Sequence, residues 1–338
     1  MTIIERLQKS GIRRIGTAKR GFSYRPADGR KVSAAERARI EALKVPPAWT
    51  KVTVHPTSRA SVQAIGMDGA GRWQYLYHRA HVARRERHKR DRLVRFIGAL
   101  PRMRQTAARD LARPGLEKEK VLAGILKILA TCFLRPGSED YAAENGTYGL
   151  ATLQRRHVSV RGDVIRFDFK GKSSQRQQRE LRDRRVARLL RELLKHPGEV
   201  FKYRAEDGLI VDIRRAHINA YIKDVMGEAF SAKDFRTWAA NLLCASALAH
   251  GAPDLTATRA DHRRHVAGAI RHVAEHLGNT PAVCRASYVF PLLIEAYEKG
   301  RVVREPLDRI DPLANGSVRR IEAVERALLK LLRSEEAA

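Results

Sequence analysis

Hydrophobic patterning changes character once along this chain, and that change limits what it can fold into. Through about the first eighty residues, short apolar runs alternate with polar residues and are broken by turn signals; from about residue 93 onward apolar residues recur at helical spacing. A period of 2 and a period of 3.6 present different faces, so the two stretches call for different elements. The expected fold is α+β: a small β-rich amino-terminal domain over residues 1–85, then a mainly α-helical domain over 86–338. A chain of 338 residues is long enough for two cores.

In the first stretch, "GFSYRPADGRKV" carries an Asp28-Gly29 turn between short strand candidates. Ser33 and Glu36 form a capping box ahead of "AAERARIEALK", a short helix ended by Pro46-Pro47. "KVTVHP" follows, and "SVQAIGMDGAGRWQYLYH" reads as two strands joined by a Gly-rich turn. Period-two spacing puts Trp73, Tyr75 and Tyr77 on one face of the second of these. That face either packs on a core or lines a groove, and spacing alone leaves both open.

In the second stretch, "EKEKVLAGILKILATCFLR" gives Val121, Leu122, Ile125, Leu126 and Leu129 a broad apolar face. It leaves the helix at Arg135-Pro136-Gly137. "HVSVRGDVIRFDFKGK" is expected as a hairpin over about 157–172, turning at Gly162. "DRRVARLLRELLKH" is an amphipathic helix stopped by Pro197-Gly198, Ser231 and Asp234 cap "AKDFRTWAANLLCASALAH", and "VRRIEAVERALLKLLR" is a final helix.

Charge bounds the partner. Lys and Arg number 66 against 37 Asp and Glu, a net charge of +29. A compact chain this basic repels itself unless it meets an anion, and a polyphosphate is the natural one because neutralised phosphates release counterions. The run "HRAHVARRERHKRDR", a hinge candidate between the domains, offers Arg84, Arg85, Lys89 and Arg90 as phosphate contacts. No apolar run reaches the ~18 residues that span a bilayer, and the start lacks a signal core, so no membrane partner and a cytoplasmic setting are expected. Abundant Arg and Ala suit a bacterial source. Cys132, Cys244 and Cys284 are scattered, which excludes a zinc ribbon and argues against a disulfide framework. His272 and His276 share helical spacing, but no carboxylate or Cys completes a zinc pattern, so no metal is expected.

Nor is a nucleotide site indicated: "RFDFKGKSS" ends like a phosphate loop, yet Arg166 stands where Gly is required. No acidic cluster suited to Mg²⁺ stands out. Any phosphoryl chemistry must therefore use cationic side chains and no cofactor. Candidates stand at element ends, where side chains can converge: Arg135 after the most apolar helix, Lys172 past a hairpin strand, and Lys233 and Arg236 in the first turns of a capped helix. Cations near that positive helix end are costly unless an anion docks there. In "HLGNTPAVCRASYVFP", Gly278 has the place of a helix-terminating glycine and Thr280 caps the next helix with Pro281 first. Asn279 is thereby pinned in a corner, and Tyr288 falls two turns into the second helix, before Pro291. Spacing alone favours a buried structural tyrosine over a nucleophile.

The segments "MDGAGRWQYLYHRAHVARRERHKRDR", "LRPGSEDYAAENGTYGLATLQRRHV", "FDFKGKSS", "AKDFRTWAANLL" and "LGNTPAVCRASYVFP" together resemble the type IB DNA topoisomerases, specifically the small poxvirus-like enzymes also found in bacteria. They run in the family's order over roughly residues 45–300. The resemblance implies a catalytic domain of the tyrosine recombinase/topoisomerase IB type, a monomeric clamp on double-stranded DNA, and a place at the bacterial nucleoid. It puts the nucleophile on Tyr288, phosphate-binding arginines on Arg135 and Arg236, and lysines on Lys172 and Lys233. Amino-domain DNA contacts fall on Gln74, Tyr75 and Tyr77. Viral and eukaryotic members usually carry His where this chain has Asn279; Asn donates a hydrogen bond but bears no charge.

The implied activity is supercoil relaxation without ATP or metal, by transient single-strand cleavage through a 3′-phosphotyrosyl ester and religation. Two alternatives stand beside it. A tyrosine recombinase or integrase would share the chemistry, but typically places His three residues before the second arginine, where this chain has Lys233. A non-catalytic architectural protein would explain the charge, but not the ordered set Arg135, Lys172, Arg236, Asn279 and Tyr288.

Overall fold

The computed structural model describes residues 1–251, 258–304, 306–307 and 318–334. The chain divides into two compact units, Met1–Lys89 and Arg90–Ala338.

The first unit opens with α1 (Ile3–Ser10), where Thr2 and Glu5 cap each other's backbone. β1 (Ile12–Thr17), β2 (Gly21–Pro26), α2 (Ala34–Ala42), β3 (Thr50–Val54), β4 (Val62–Met67) and β5 (Trp73–Tyr77) follow. The five strands form one antiparallel sheet in the order β2-β1-β3-β4-β5. Its core is Ile12, Ile40, Val52, Val54 and Ala64, with Trp49 and Leu76 packed against it. The Ser33–Glu36 capping box and the β4-turn-β5 pair stand as the sequence predicts.

The first hairpin does not. β1 pairs with β2 across residues 18–20, whereas Asp28-Gly29 closes a turn after β2, with no strand before α2. "IRRIGT" shows no apolar alternation because only Ile12 is buried among its residues. Arg14 instead reaches across to the carbonyls of Pro46 (3.2 Å) and Trp49 (2.5 Å), fixing the double-proline loop.

α3 (Arg79–Asp110) carries the basic run, and it is one uninterrupted helix in which the boundary between units falls. The stretch expected to hinge is therefore helical from Arg79 onward. The second unit continues with α4 (Lys118–Cys132), α5 (Glu139–Asn145), β6 (Val158–Arg161), β7 (Val164–Lys170), β8 (Arg176–Arg182), α6 (Arg184–Leu193), β9 (Lys202–Arg204) and β10 (Ile210–Asp212). Then come α7 (Arg215–Met226), α8 (Ala232–His250), α9 (Arg259–Leu277), α10 (Pro281–Ser287), α11 (Pro291–Glu298) and α12 (Val318–Ser334).

α4 and α8 are buried over most of their length and form the centre of this unit. Each fully buried Leu or Ile there contributes about 1.5–3 kcal/mol relative to exposure. Phe96 meets Phe235 edge-on at 5.0 Å between centroids, and Phe133 meets Trp238 at 6.4 Å, so aromatic packing joins α3, the end of α4 and α8. The expected hairpin is present with its turn at Gly162, but it belongs to a three-stranded sheet, β6-β7-β8. β8, "RQQRELR", escapes a hydrophobicity reading because its inward positions are Gln177, Arg179 and Leu181. All three cysteines are free and buried.

Candidate active site

The end of α4 sets the first cation. Phe133 closes the helix in the left-handed region at φ 55°, a conformation that costs a non-glycine residue about 1 kcal/mol. Burial of its ring against Trp238 holds it there and turns its carbonyl towards α8. Two residues on, the backbone of Arg135 is stitched to a second loop: Leu150 N–H donates to the Arg135 carbonyl (3.0 Å) and Ala151 N–H to that of Pro136 (2.8 Å). The same loop reaches the end of β7, where Tyr148 N–H donates to the Lys170 carbonyl at 2.8 Å. One short segment, 148–151, thus positions both Arg135 and the turn that bears Lys172.

Arg236, in the second turn of α8, is only 3 % exposed. Its guanidinium donates from Nη1 to the Phe133 carbonyl and from Nη2 to the Leu277 carbonyl at 2.7 Å, bridging the ends of α4 and α9. Its Nε is buried without a hydrogen-bond partner. The α9–α10 corner is built as the sequence predicts: Gly278 is left-handed at φ 57°, and the Thr280 hydroxyl accepts from Val283 N–H. Arg135 Nη2 donates to Asn279 Oδ1 at 2.7 Å. Because that oxygen accepts, the amide nitrogen of Asn279 points elsewhere, and it too is buried with no partner. Two unsatisfied donors in one place are costly, by about 1–3 kcal/mol each, unless an acceptor arrives.

Tyr288 lies at the end of α10 and not within a longer helix: it is the capping residue, and Pro291 opens α11. Its ring stands 5.5 Å from the Arg236 guanidinium carbon. Its backbone is gripped by Asn241, a fully buried α8 side chain that donates from Nδ2 to the Tyr288 carbonyl (2.8 Å) and accepts from Phe290 N–H (2.9 Å). Asn241 is missing from the sequence-based candidates; a lone amide inside the apolar run "AANLLCASALA" is the signal that marks it.

The lysines are placed differently. Lys172 begins a tight turn just past β7, Lys233 sits in the first turn of α8, and both are exposed. Beside Lys233, the Asp234 carboxylate accepts from Ser231 N–H (2.8 Å) and is held bidentately by Arg92 (2.5 and 2.8 Å), which anchors the α8 terminus to α3.

Electrostatics follow from burial. The side-chain hydrogen bonds of Arg135, Arg179 and Arg236 go to neutral amide and carbonyl oxygens, among them Asn279 Oδ1, Gln177 Oε1 and the backbone of Phe133, His276 and Leu277. Burial lowers the pKa of Arg135 and of Arg179, and burial together with the charge of Arg135 lowers that of Arg236 to about 10. Burial would push the Tyr288 phenol up, but the charges of Arg236, Arg135 and Lys233 outweigh it and hold the phenol below its ordinary value. Anion stabilisation is the property this cluster provides.

In the first unit, Tyr75 and Tyr77 stack at 6.2 Å, Tyr77 stacks on His81 at 5.3 Å, and Arg85 lies 5.4 Å over the Tyr77 ring. Leu76, between them, turns to the core instead. The aromatic face of β5 is therefore a surface platform and not a core face. Gln74 donates to Asp68 at 2.8 Å. Arg84 and Arg85 are exposed, Lys89 pairs with Glu86 at 2.7 Å, and Arg90, near Asp91, is only 12 % exposed in its side chain.

A family model for the catalytic core of eukaryotic DNA topoisomerase I matches residues 79–301. A DNA topoisomerase 1B of Acanthamoeba polyphaga mimivirus is 33% identical over 304 residues, covering 88% of this chain and 90% of its own. The chain belongs to the type IB DNA topoisomerase family. The amino-terminal unit agrees: a model of the bacterial DNA topoisomerase IB N-terminal domain matches residues 21–68 of this topoisomerase. The vaccinia virus DNA topoisomerase 1B is 25% identical over 261 residues, covering 76% of this chain and 80% of its own. The enzyme is thus an isomerase acting on DNA, and the recombinase and coating-protein alternatives fall away. Among its described residues no helix is long and apolar enough to cross a membrane, and no group of three or more His, Cys, Asp or Glu is gathered to hold a metal ion.

Proposed function

We propose that this topoisomerase relaxes supercoils by nicking one strand of duplex DNA through Tyr288. The phenol oxygen, its proton lost to solvent, attacks a backbone phosphorus, forming a 3′-phosphotyrosyl ester as the bond to the 5′-oxygen breaks. Arg135 and Arg236 clamp the non-bridging oxygens, and Asn279 adds a neutral donor from Nδ2. The departing 5′-oxygen takes a proton from Lys172 or Lys233. Torsion turns the free end, and the 5′-hydroxyl then attacks the ester to restore the strand. The ester conserves the energy of the broken bond, so neither ATP nor a metal ion is needed.

The observation that carries this reading is the pair of buried, unpartnered donors, Arg236 Nε and Asn279 Nδ2, grouped around a tyrosine whose phenol is acidified by neighbouring cations. They are what a phosphate would satisfy. Asn279 replaces a charge with an amide whose orientation Arg135 sets. Tyr75, Tyr77, Gln74, Arg84, Arg85 and Lys89 supply stacking and phosphate contacts from the first unit, with Arg90 a lesser contributor because its side chain is largely covered. All six residues of the chemistry lie in one unit of one chain, which suits a monomer working on the bacterial chromosome. The test is plasmid relaxation with EDTA present and ATP absent: full relaxation is expected, and dependence on Mg²⁺ or ATP contradicts the mechanism.

A further inference from the structure

Lys172 and Asn279 are each preceded by a glycine, and both glycines face the same side chain. A methyl group on Gly171 would lie 2.8 Å from Gln177 Cγ, and one on Gly278 would lie 2.5 Å from Gln177 Nε2. Gln177, on β8, is 4 % exposed and fills the space that the two missing side chains leave. At Gly171 the backbone is extended (φ −94°), so contact and not conformation asks for glycine there.

The neighbouring inward residue of β8 completes the link. Arg179 Nη2 donates to the His276 carbonyl at 2.6 Å, at the end of α9 just ahead of the Asn279 corner. The Lys172 turn is closed on its own side by Gly171 N–H donating to the Gln175 carbonyl at 2.8 Å. The polar contacts of Gln177 itself are long: 3.4 Å from Arg179 and 3.5 Å to the Gln175 carbonyl. Its main work is therefore to fill volume between two backbones.

We infer that Gln177 is a positioning residue that couples the Lys172 turn to the Asn279 corner, with Arg179 as its anchor. It sets Lys172, one of the two exposed candidates for proton donor, at a fixed distance from the buried phosphate clamp. The inference rests on the roles of Lys172 and Asn279 proposed above. Truncating the side chain removes the spacer while leaving both functional residues in place, and a misplacement of about 1 Å costs on the order of 10²-fold in rate.

The experiment is single-turnover cleavage by the full chain of a DNA duplex with either oxygen or sulfur as the bridging 5′ atom. A thiol, with a pKa near ~8.5, leaves without a donated proton. Gln177→Ala is expected to cleave the oxygen substrate about 10–100-fold slower with DNA affinity within about threefold, and to recover part of that loss on sulfur. Gln177→Met, which conserves volume, is expected to stay within about threefold of the parent. It also carries the test if the alanine variant does not fold. A parent-like rate for Gln177→Ala, an equal deficit on both substrates, or a Gln177→Met enzyme as slow as Lys172→Ala overturns the inference. If Lys172→Ala and Asn279→Ala themselves cleave at the parent rate, the underlying roles fail instead.

Discussion

The arginines and the lysines of the proposed site are held in opposite ways. Arg236 is buried, bridges two helix-end carbonyls and loses affinity for its proton; Lys172 and Lys233 are exposed at a turn and a helix start. Groups that stabilise developing charge act best when fixed in a desolvated place before the reaction begins. Groups that deliver a proton must reach both the leaving oxygen and solvent, and exposure serves that. The fold spends stability on the first set and leaves the second free.

Mutation should separate the two sets. Arg236→Ala is expected to slow cleavage by about 10²–10³-fold and also to lower stability by about 1–3 kcal/mol, because the Phe133 and Leu277 carbonyls lose their donor. Rate and melting temperature measured on one preparation check both. Lys172→Ala and Lys233→Ala should slow cleavage as well, the true proton donor by about 10²-fold, with no change in melting temperature. A lysine variant that unfolds as readily as the arginine variant would erase the contrast. Asn241→Ala tests the scaffold beneath Tyr288: an effect of about 10-fold on cleavage is expected through a displaced backbone, with DNA affinity unchanged in a filter-binding assay.

The smallest expected effect is on pH. The Tyr288 phenol titrates below its ordinary value, so the cleavage rate should climb on the way from neutral pH towards 10. Arg236 loses its proton as the pH passes through about 10, which weakens the clamp, so the rate should fall again. Single-turnover rates across that range check the sign of both limbs. Arg236→Lys should alter the upper limb and leave the lower one in place.

The same division explains what the sequence made legible. Residues whose chemistry is unusual for their position stood out: Arg135 after an apolar helix, Arg236 near a positive helix end, Asn279 in a capped corner. The α+β division and most helices followed from periodicity and caps. β1 and β8 did not, because one holds a single buried apolar residue and the other turns Gln177 and Arg179 inward. Gln177 and Arg179 were hidden for a related reason, and Asn241, though a lone amide in an apolar run, showed no partner. Each works through contacts to residues distant in the chain, as when Arg179 reaches His276 or Asn241 reaches Tyr288. Local spacing carries no trace of such contacts. Tyr288 itself is ambiguous on spacing alone, and the resemblance to the family is what puts the nucleophile there.

The most direct test of the account is to stop the reaction with denaturant, digest the protein, and find by mass spectrometry which residue carries DNA. With EDTA present, a single adduct on Tyr288 joined to a 3′-phosphate is expected, and Tyr288→Phe should give none while binding duplex as before. An adduct on any other residue, or relaxation by the phenylalanine variant, would contradict it.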